Sequence, residues 1–319
     1  MTANYSSNQL ASKRPWMYFV FFTLFALVTV WLFSKFLDLS LKVGFLNLLL
    51  ILLPVFVGMV SYVAFGIWHL SVVIFSFVER SFFSTIFQDG GDSPTPHFAL
   101  LYTTCNDFQR KAVESYTRLD YENYHIFILD DSDQPSIKKE IQAFADEYSH
   151  KTTLVQRQNR RAHKAGNVNN AITLLPNNVH YILILDSDEF LPKDFLGQVR
   201  DYLVSHPDVC FVQVAHQNDH DKQKGFVGDI GIISPTIWKY YQRYRNHFGL
   251  TPCLGHGVTI NLSYLKAIGG FPEIVSEDLA FTMNNQVDNT SLNTPCQNLG
   301  IFYLALKGCK DCQIVVKFS

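Results

Sequence analysis

Two long apolar runs open the chain, and short apolar runs alternating with amphipathic stretches follow them. From Trp16 to Phe33 no charged residue occurs, close to the ~20 residues that cross a bilayer as a helix. Ser34, Lys35, Asp38 and Lys42 make a hydrophilic break, and Val43 to Val78 is again uncharged. The pattern predicts two transmembrane spans, over about 16–35 and 43–65, with Pro54 inside the second. An interfacial segment to about Phe87, carrying Trp68, His69, Glu79 and Arg80, completes a membrane region over 1–88. The first run lacks the small-residue cleavage site of a signal peptide. Two spans return the chain to its starting side, which Lys13-Arg14 assigns to the cytoplasm. The expectation is a multi-pass protein of the inner or plasma membrane with its large domain cytoplasmic. Asp89-Gly-Gly-Asp-Ser-Pro-Thr-Pro96 reads as a linker over 89–96.

Beyond His97 the period changes. Apolar runs over 98–103, 124–129, 153–156, 181–185 and 210–215 predict strands, and 108–119, 136–148, 163–174 and 235–247 read as helices. Strands alternating with helices argue an α/β fold around a parallel, Rossmann-like sheet. Tyr181–Leu185, rich in Ile and Leu, has the composition of a strand buried on both faces.

Composition removes some classes. A net charge of −2 over 319 residues gives no bulk attraction for nucleic acid. The six cysteines form no regular framework, so Cys105, Cys210 and Cys253 suit a reduced compartment. Cys309-Lys-Asp-Cys312 lacks a second pair for structural zinc, and His216-Gln-Asn-Asp-His220 lies in a stretch that reads as a loop.

The candidate chemistry lies at strand ends. Asp186-Ser-Asp188 follows the central strand, where ligands bind in open α/β sheets. Two carboxylates there can share Mg²⁺ or Mn²⁺ with a substrate phosphate. Asp130-Asp131 ends an earlier strand, and Ser276-Glu277-Asp278 forms a third acidic cluster. Between the first two lies Asn159-Arg-Arg-Ala-His-Lys-Ala-Gly-Asn-Val-Asn-Asn170, where Arg160, Arg161 and Lys164 concentrate positive charge. Gly166 would let a phosphate approach the backbone closely. A basic loop between acidic strand ends suits a metal-bridged diphosphate.

Together with Lys164-Ala-Gly-Asn-Val-Asn169 and the opening Tyr102-Thr-Thr-Cys-Asn-Asp107, these clusters resemble the motif series of family 2 glycosyltransferases, above all the membrane-embedded cellulose, chitin and hyaluronan synthase group. The resemblance spans about 97–283 and implies a GT-A domain. It implies that Thr104, Asp107, Asp130, Asp131, Lys164, Gly166 and Asn167 hold the donor, Asp107 and Asp130 at the nucleoside and Lys164 at the diphosphate. Asp186 and Asp188 are similar to the metal pair, and Asp278, beside Glu277, matches the catalytic base. The family's usual Thr is Ser276 here. Gly255-His256-Gly257, followed by Ile268-Gly-Gly-Phe271, sits where the family has its acceptor-side loop. The implied reaction is inverting transfer from a nucleotide-sugar, a UDP-sugar foremost, to a glycan or lipid-linked acceptor in polysaccharide synthesis.

The resemblance stops near Met283. No Trp follows Asp278, so the Gln-x-x-Arg-Trp segment of the synthase group is missing, and 284–319 is an atypical tail. The expectation is therefore of a copy truncated at its C-terminus. Two other readings stay open: an inactive copy that binds donor or pairs with an intact synthase subunit, and a nucleotidyltransferase that would release pyrophosphate.

Overall fold

The computed structural model describes residues 16–43, 45–82, 95–207, 209–214, 216–218, 241–242, 245, 252–287, 298–302 and 314–316. The chain divides into two compact units, 1–84 and 85–319.

In the first unit, α1 (Trp16–Val43) packs on α2 (Phe45–Phe82), with the Phe36 and Phe56 ring centroids 4.9 Å apart. The hydrophilic break expected at 34–42 is helical instead. Its charges are spaced for a helix face, and Lys42 donates to Asp38 at 2.8 Å across one turn. Nor does the second helix stop near 65, for α2 runs on to Phe82 with Pro54 inside it. Among the described residues one stretch, Leu53–Val72 in α2, is long and apolar enough to cross a membrane. Met59, Tyr62, Phe65 and Leu70 on it are exposed. Such a continuous apolar surface needs a lipid or protein partner.

The second unit has three layers. Among the described residues its main sheet runs β3 (Thr152–Gln156), β2 (Tyr124–Asp130), β1 (Phe98–Thr104), β4 (Tyr181–Leu185), β8 (Val258–Asn261), β6 (Val209–Val214), β9 (Asn298–Phe302). The first four strands are parallel, β8 is antiparallel to both neighbours, and β9 is parallel to β6. A second, small sheet orders β5 (Glu189–Phe190), β10 (Ile314–Val316) and β7 (His216–Asn218). His216–Asn218 is thus a strand where the polar composition suggested a loop.

Side chains alternate along β1. Phe98, Leu100 and Tyr102 enter one core and Ala99 and Leu101 the other, all fully buried. Helices α3 (Arg110–Tyr116), α4 (Pro135–Glu147) and α6 (Phe195–Ser205) cover the first face. The second is covered by α5 (His163–Leu174), α7 (Leu262–Ala267) and, through Phe281, α8 (Glu277–Val287). Helices on both faces explain why the parallel strands read as unbroken apolar runs. The α3 helix is shorter than the expected 108–119. Of the expected helix over 235–247, only residues 241, 242 and 245 are described. In the tail, Ile314–Val316 is a strand.

One polar staple ties this layer together. Asn169 on α5 receives the Phe271 N–H at 2.9 Å and donates to the Phe271 carbonyl at 2.8 Å. Breaking both bonds by Asn169→Ala should cost about 2 kcal/mol. The expected outcome is a Tm lower by roughly 4–8 °C by calorimetry, since a domain of this size loses ~2–4 °C per kcal/mol.

Candidate active site

Strand β1 has β2 on one side and β4 on the other, so the chain leaves the sheet in opposite directions from two adjacent strands. Such a switch point opens a crevice beyond the carboxyl ends. A cavity of about 400 Å³ lies there, lined by Thr104, Asp107, Asp131, Lys164, Asn167, Asp186 and Asp188 of the expected residues. The sequence reading passed over Thr103, Gln109, His163 and Ser187 as lining residues.

The loop after β1 wraps around Asp107. Its Oδ1 accepts from Thr104 Oγ1 at 2.9 Å and the Cys105 N–H at 2.7 Å, and its Oδ2 accepts from Ser187 Oγ at 2.6 Å. Burial alone would raise its pKa, but these hydrogen bonds outweigh that and hold it below the usual carboxylate value. Asn106, at φ +68°, donates to Asp133 and accepts the Asp133 and Gln134 N–H groups, pinning this loop to the one after β2.

Asp130 and Gly166 both meet other parts of the chain. Asp130 is buried at the end of β2, and its oxygens accept the Ser132 N–H and the Gln156 amide, both at 2.8 Å. It shapes the turn and does not line the cavity. A Cβ on Gly166 would stand 2.1 Å from the Arg161 carbonyl oxygen. The close approach that requires glycine is therefore to the chain's own backbone, not to a phosphate.

That loop is held by Arg157, which belongs to no sequence motif. Its guanidinium forks onto Asp131 at 2.9 and 2.6 Å, with both partners nearly buried. It also donates to the carbonyls of Arg161 and His163, each at 2.7 Å. Ala162 and His163, at φ +58° and +46°, turn the chain into α5 under this clamp. Arg160 reaches the exposed Cys105, Nη2 to Sγ at 2.7 Å.

Lys164 extends from the first turn of α5 to pair with Asp186 Oδ1. Burial raises the Asp188 pKa, with the charges of Glu189 and Asp186 adding to it. Asp186, Asp188 and Glu189 outnumber Lys164 and the His256 imidazolium by one, which leaves local negative charge for a cation to offset. The Asn167 Oδ1, in a side chain 2% exposed, has no hydrogen-bond partner among the described residues. A buried oxygen without a donor costs roughly 1–3 kcal/mol unless a ligand satisfies it. Among the described residues no cluster of three or more His, Cys, Asp or Glu could hold a metal alone. The donor set thus fits a divalent cation that takes its other ligands from phosphate and water.

The Gly255-His256-Gly257 loop adjoins the third acidic cluster. Gly255, at φ +74°, brings its backbone so close to Asp278 that a Cβ there would lie 3.2 Å from the Asp278 Cβ. Thr282 receives the Cys253 N–H and donates to the Asp278 carbonyl, both at 2.8 Å. Glu277 and Asp278 occupy the first turn of α8. Gln213, buried on β6, accepts the Leu254 N–H at 2.9 Å and donates to the His256 and Gly257 carbonyls at 2.9 and 3.2 Å. Neither Gln213 nor Thr282 carries a sequence motif.

His256 Nδ1 stands 2.8 Å from Oε1 of the fully buried Glu189. Burial lowers the imidazole pKa, but the hydrogen bond and charge of Glu189, with Asp186 beyond, outweigh it and raise the value above 6.5. A raised folded-state value means the stabilisation is complete below the ordinary value and lost as pH rises through the folded one. Between about pH 6 and pH 9, which brackets imidazole titration, the Tm of the wild type should fall relative to that of the non-titrating His256→Asn. Parallel melting curves across that range would count against the charged pair.

The sequence model of Glycosyl transferase family 2 matches residues 103–269, just over half of the chain. A mannosyltransferase from Pyrobaculum calidifontis, solved with GDP-Man and Mn2+, superposes with a TM-score of 0.55 at 17% identity. The match covers 79% of this chain and 66% of that one. S. aureus TarS 1-349 with UDP-GlcNAc gives a TM-score of 0.50 at 13% identity, over 70% and 59% of the two chains. The chain therefore spans less than two thirds of each of these relatives. At such identities the likeness is one of fold. No curated protein sequence matches.

Proposed function

Because the chain belongs to glycosyl transferase family 2, we propose that it is a membrane-anchored, metal-dependent, inverting transferase. It moves a sugar from a nucleotide-sugar to a glycan or lipid-linked acceptor in polysaccharide synthesis. The observation that carries this is the switch-point cavity, where Lys164, Asp186 and Asp188 converge beside Asp107. Apolar helix α2 supports the anchor. In this reading α1 supplies a second span, the catalytic unit is cytoplasmic at the inner or plasma membrane, and intact synthase subunits are candidate partners.

The ligands of the two structural relatives, GDP-Man with Mn2+ and UDP-GlcNAc, share a nucleoside diphosphate and differ in base and sugar. They support the donor class and leave the base open, and a UDP-sugar is the donor to try first. Asp186 and Asp188 would hold Mg²⁺ or Mn²⁺, which when bound offsets charge on the diphosphate. The chain's own groups do the rest. The Lys164 ammonium, fixed against Asp186, faces the departing phosphate as negative charge grows there. Asp278, in the first turn of α8, takes the proton from the acceptor hydroxyl. A single displacement inverts the anomeric centre.

Two substitutions test these roles by nucleoside diphosphate release from a panel of nucleotide-sugars with Mn²⁺. Asp188→Asn should reduce release on the order of 100-fold, the scale of losing one preorganised electrostatic contact. Asp278→Asn should reduce transfer roughly 100-fold or more, as loss of a general base does, while donor binding by calorimetry persists. Full release by Asp188→Asn would remove the metal role. Donor binding lost in Asp278→Asn would remove the base.

A further inference from the structure

Glu189 is the most deeply buried acid near the site, fully enclosed at the start of β5. A carboxylate taken out of water costs several kcal/mol unless its oxygens are well paired. Here each oxygen serves a different element. Oε2 accepts the Asp186 N–H at 2.9 Å, and Oε1 meets His256 Nδ1 at 2.8 Å. Tyr116 on α3 donates to the Glu189 carbonyl at 2.6 Å, so the backbone beneath the carboxylate is fixed from the opposite side. On the far side of His256, Gln213 braces the 254–257 segment at three points, and Gly255 packs on Asp278. An unbroken path therefore runs from the backbone of Asp186 through Glu189 and His256 to the residue assigned as base.

We infer that Glu189 is a positioning residue that couples the donor cavity to the acceptor-side loop, so that filling the one orders the other. This rests on the nucleotide-sugar reading above. Movement at Asp186 shifts Glu189, and Glu189 carries the imidazole with it. Because Gln213 holds the loop as one piece, the shift arrives at Gly255 and Asp278. The link would hold the base back until a donor is in place, which favours transfer over loss of donor to water.

Hydrogen exchange on the full chain reads this link without turnover. UDP or GDP with Mn²⁺ is added, its binding is measured by calorimetry, and amide exchange is followed over 252–258. Binding should slow exchange there by about fivefold or more, the scale of a modest coupling energy. His256→Ala should bind nucleotide yet lose the slowing. His256→Asn, whose amide can replace Nδ1 toward Glu189, should restore it. His256→Gln fills the ring's volume but carries its amide at the Nε2 position. It should lose the slowing as well, and it serves if His256→Ala does not fold. Slowing that survives in His256→Ala or His256→Gln, or an equal loss in His256→Asn, overturns the inference. Nucleotide binding to the wild type without loop protection overturns it alone. No binding of either nucleotide overturns the glycosyl-transfer reading, and this one with it.

Discussion

Everything at the site depends on the pairing of β1 with two parallel neighbours. Residues 98–104 register with 124–130 on one edge, and residues 98–102 with 181–185 on the other. That double pairing buries β1 on all sides and brings the ends of three strands level. The loops they launch then carry Asp107, Asp131 and Asp186 to one crevice. No polar group builds this frame. It follows from apolar side chains alternating between two cores while the backbone satisfies its own hydrogen bonds.

Polar groups then fix what the frame brings near. Arg157 closes one loop on Asp131, Asn106 joins two loops, and Gln213 braces a third. Each is a side chain paired with backbone or with a single acid, at a place where the chain has left regular structure. Charge is unevenly held as a result. Asp107 is kept ionised by donors, whereas burial and neighbouring acids push Asp188 the other way. Two carboxylates on the same cavity wall thus meet opposite environments.

The parts legible in the sequence are those with local signals. Tyr181–Leu185 and His163–Leu174 stand in the structure at the bounds read from the sequence, because one is a continuous apolar run and the other a periodic stretch between turns. Val258–Asn261 escaped, being four residues lodged between a glycine-rich loop and a short helix. The start of α8 was read as chemistry alone, although Glu277 and Asp278 also mark a helix N-terminus. Asp130 shows the limit most plainly. Two acids after a strand were visible, but which one turns inward depends on Gln156, 26 residues away. Arg157 lies equally far from Asp131, and no local pattern joins them.

The place of β8 bears on how the chain is made. It sits between β4 and β6 in the sheet yet follows β6 in sequence. As the chain emerges during synthesis, residues 98–185 can assemble their four parallel strands at once. Val209–Val214 then has no seat in the main sheet until Val258–Asn261 has been added, some forty residues later. During that interval two aggregation-prone surfaces, the open edge of β4 and the apolar β6 strand, wait for one short segment. The same segment follows directly on Gly255-His256-Gly257, so sealing the sheet and setting that loop in place are one event.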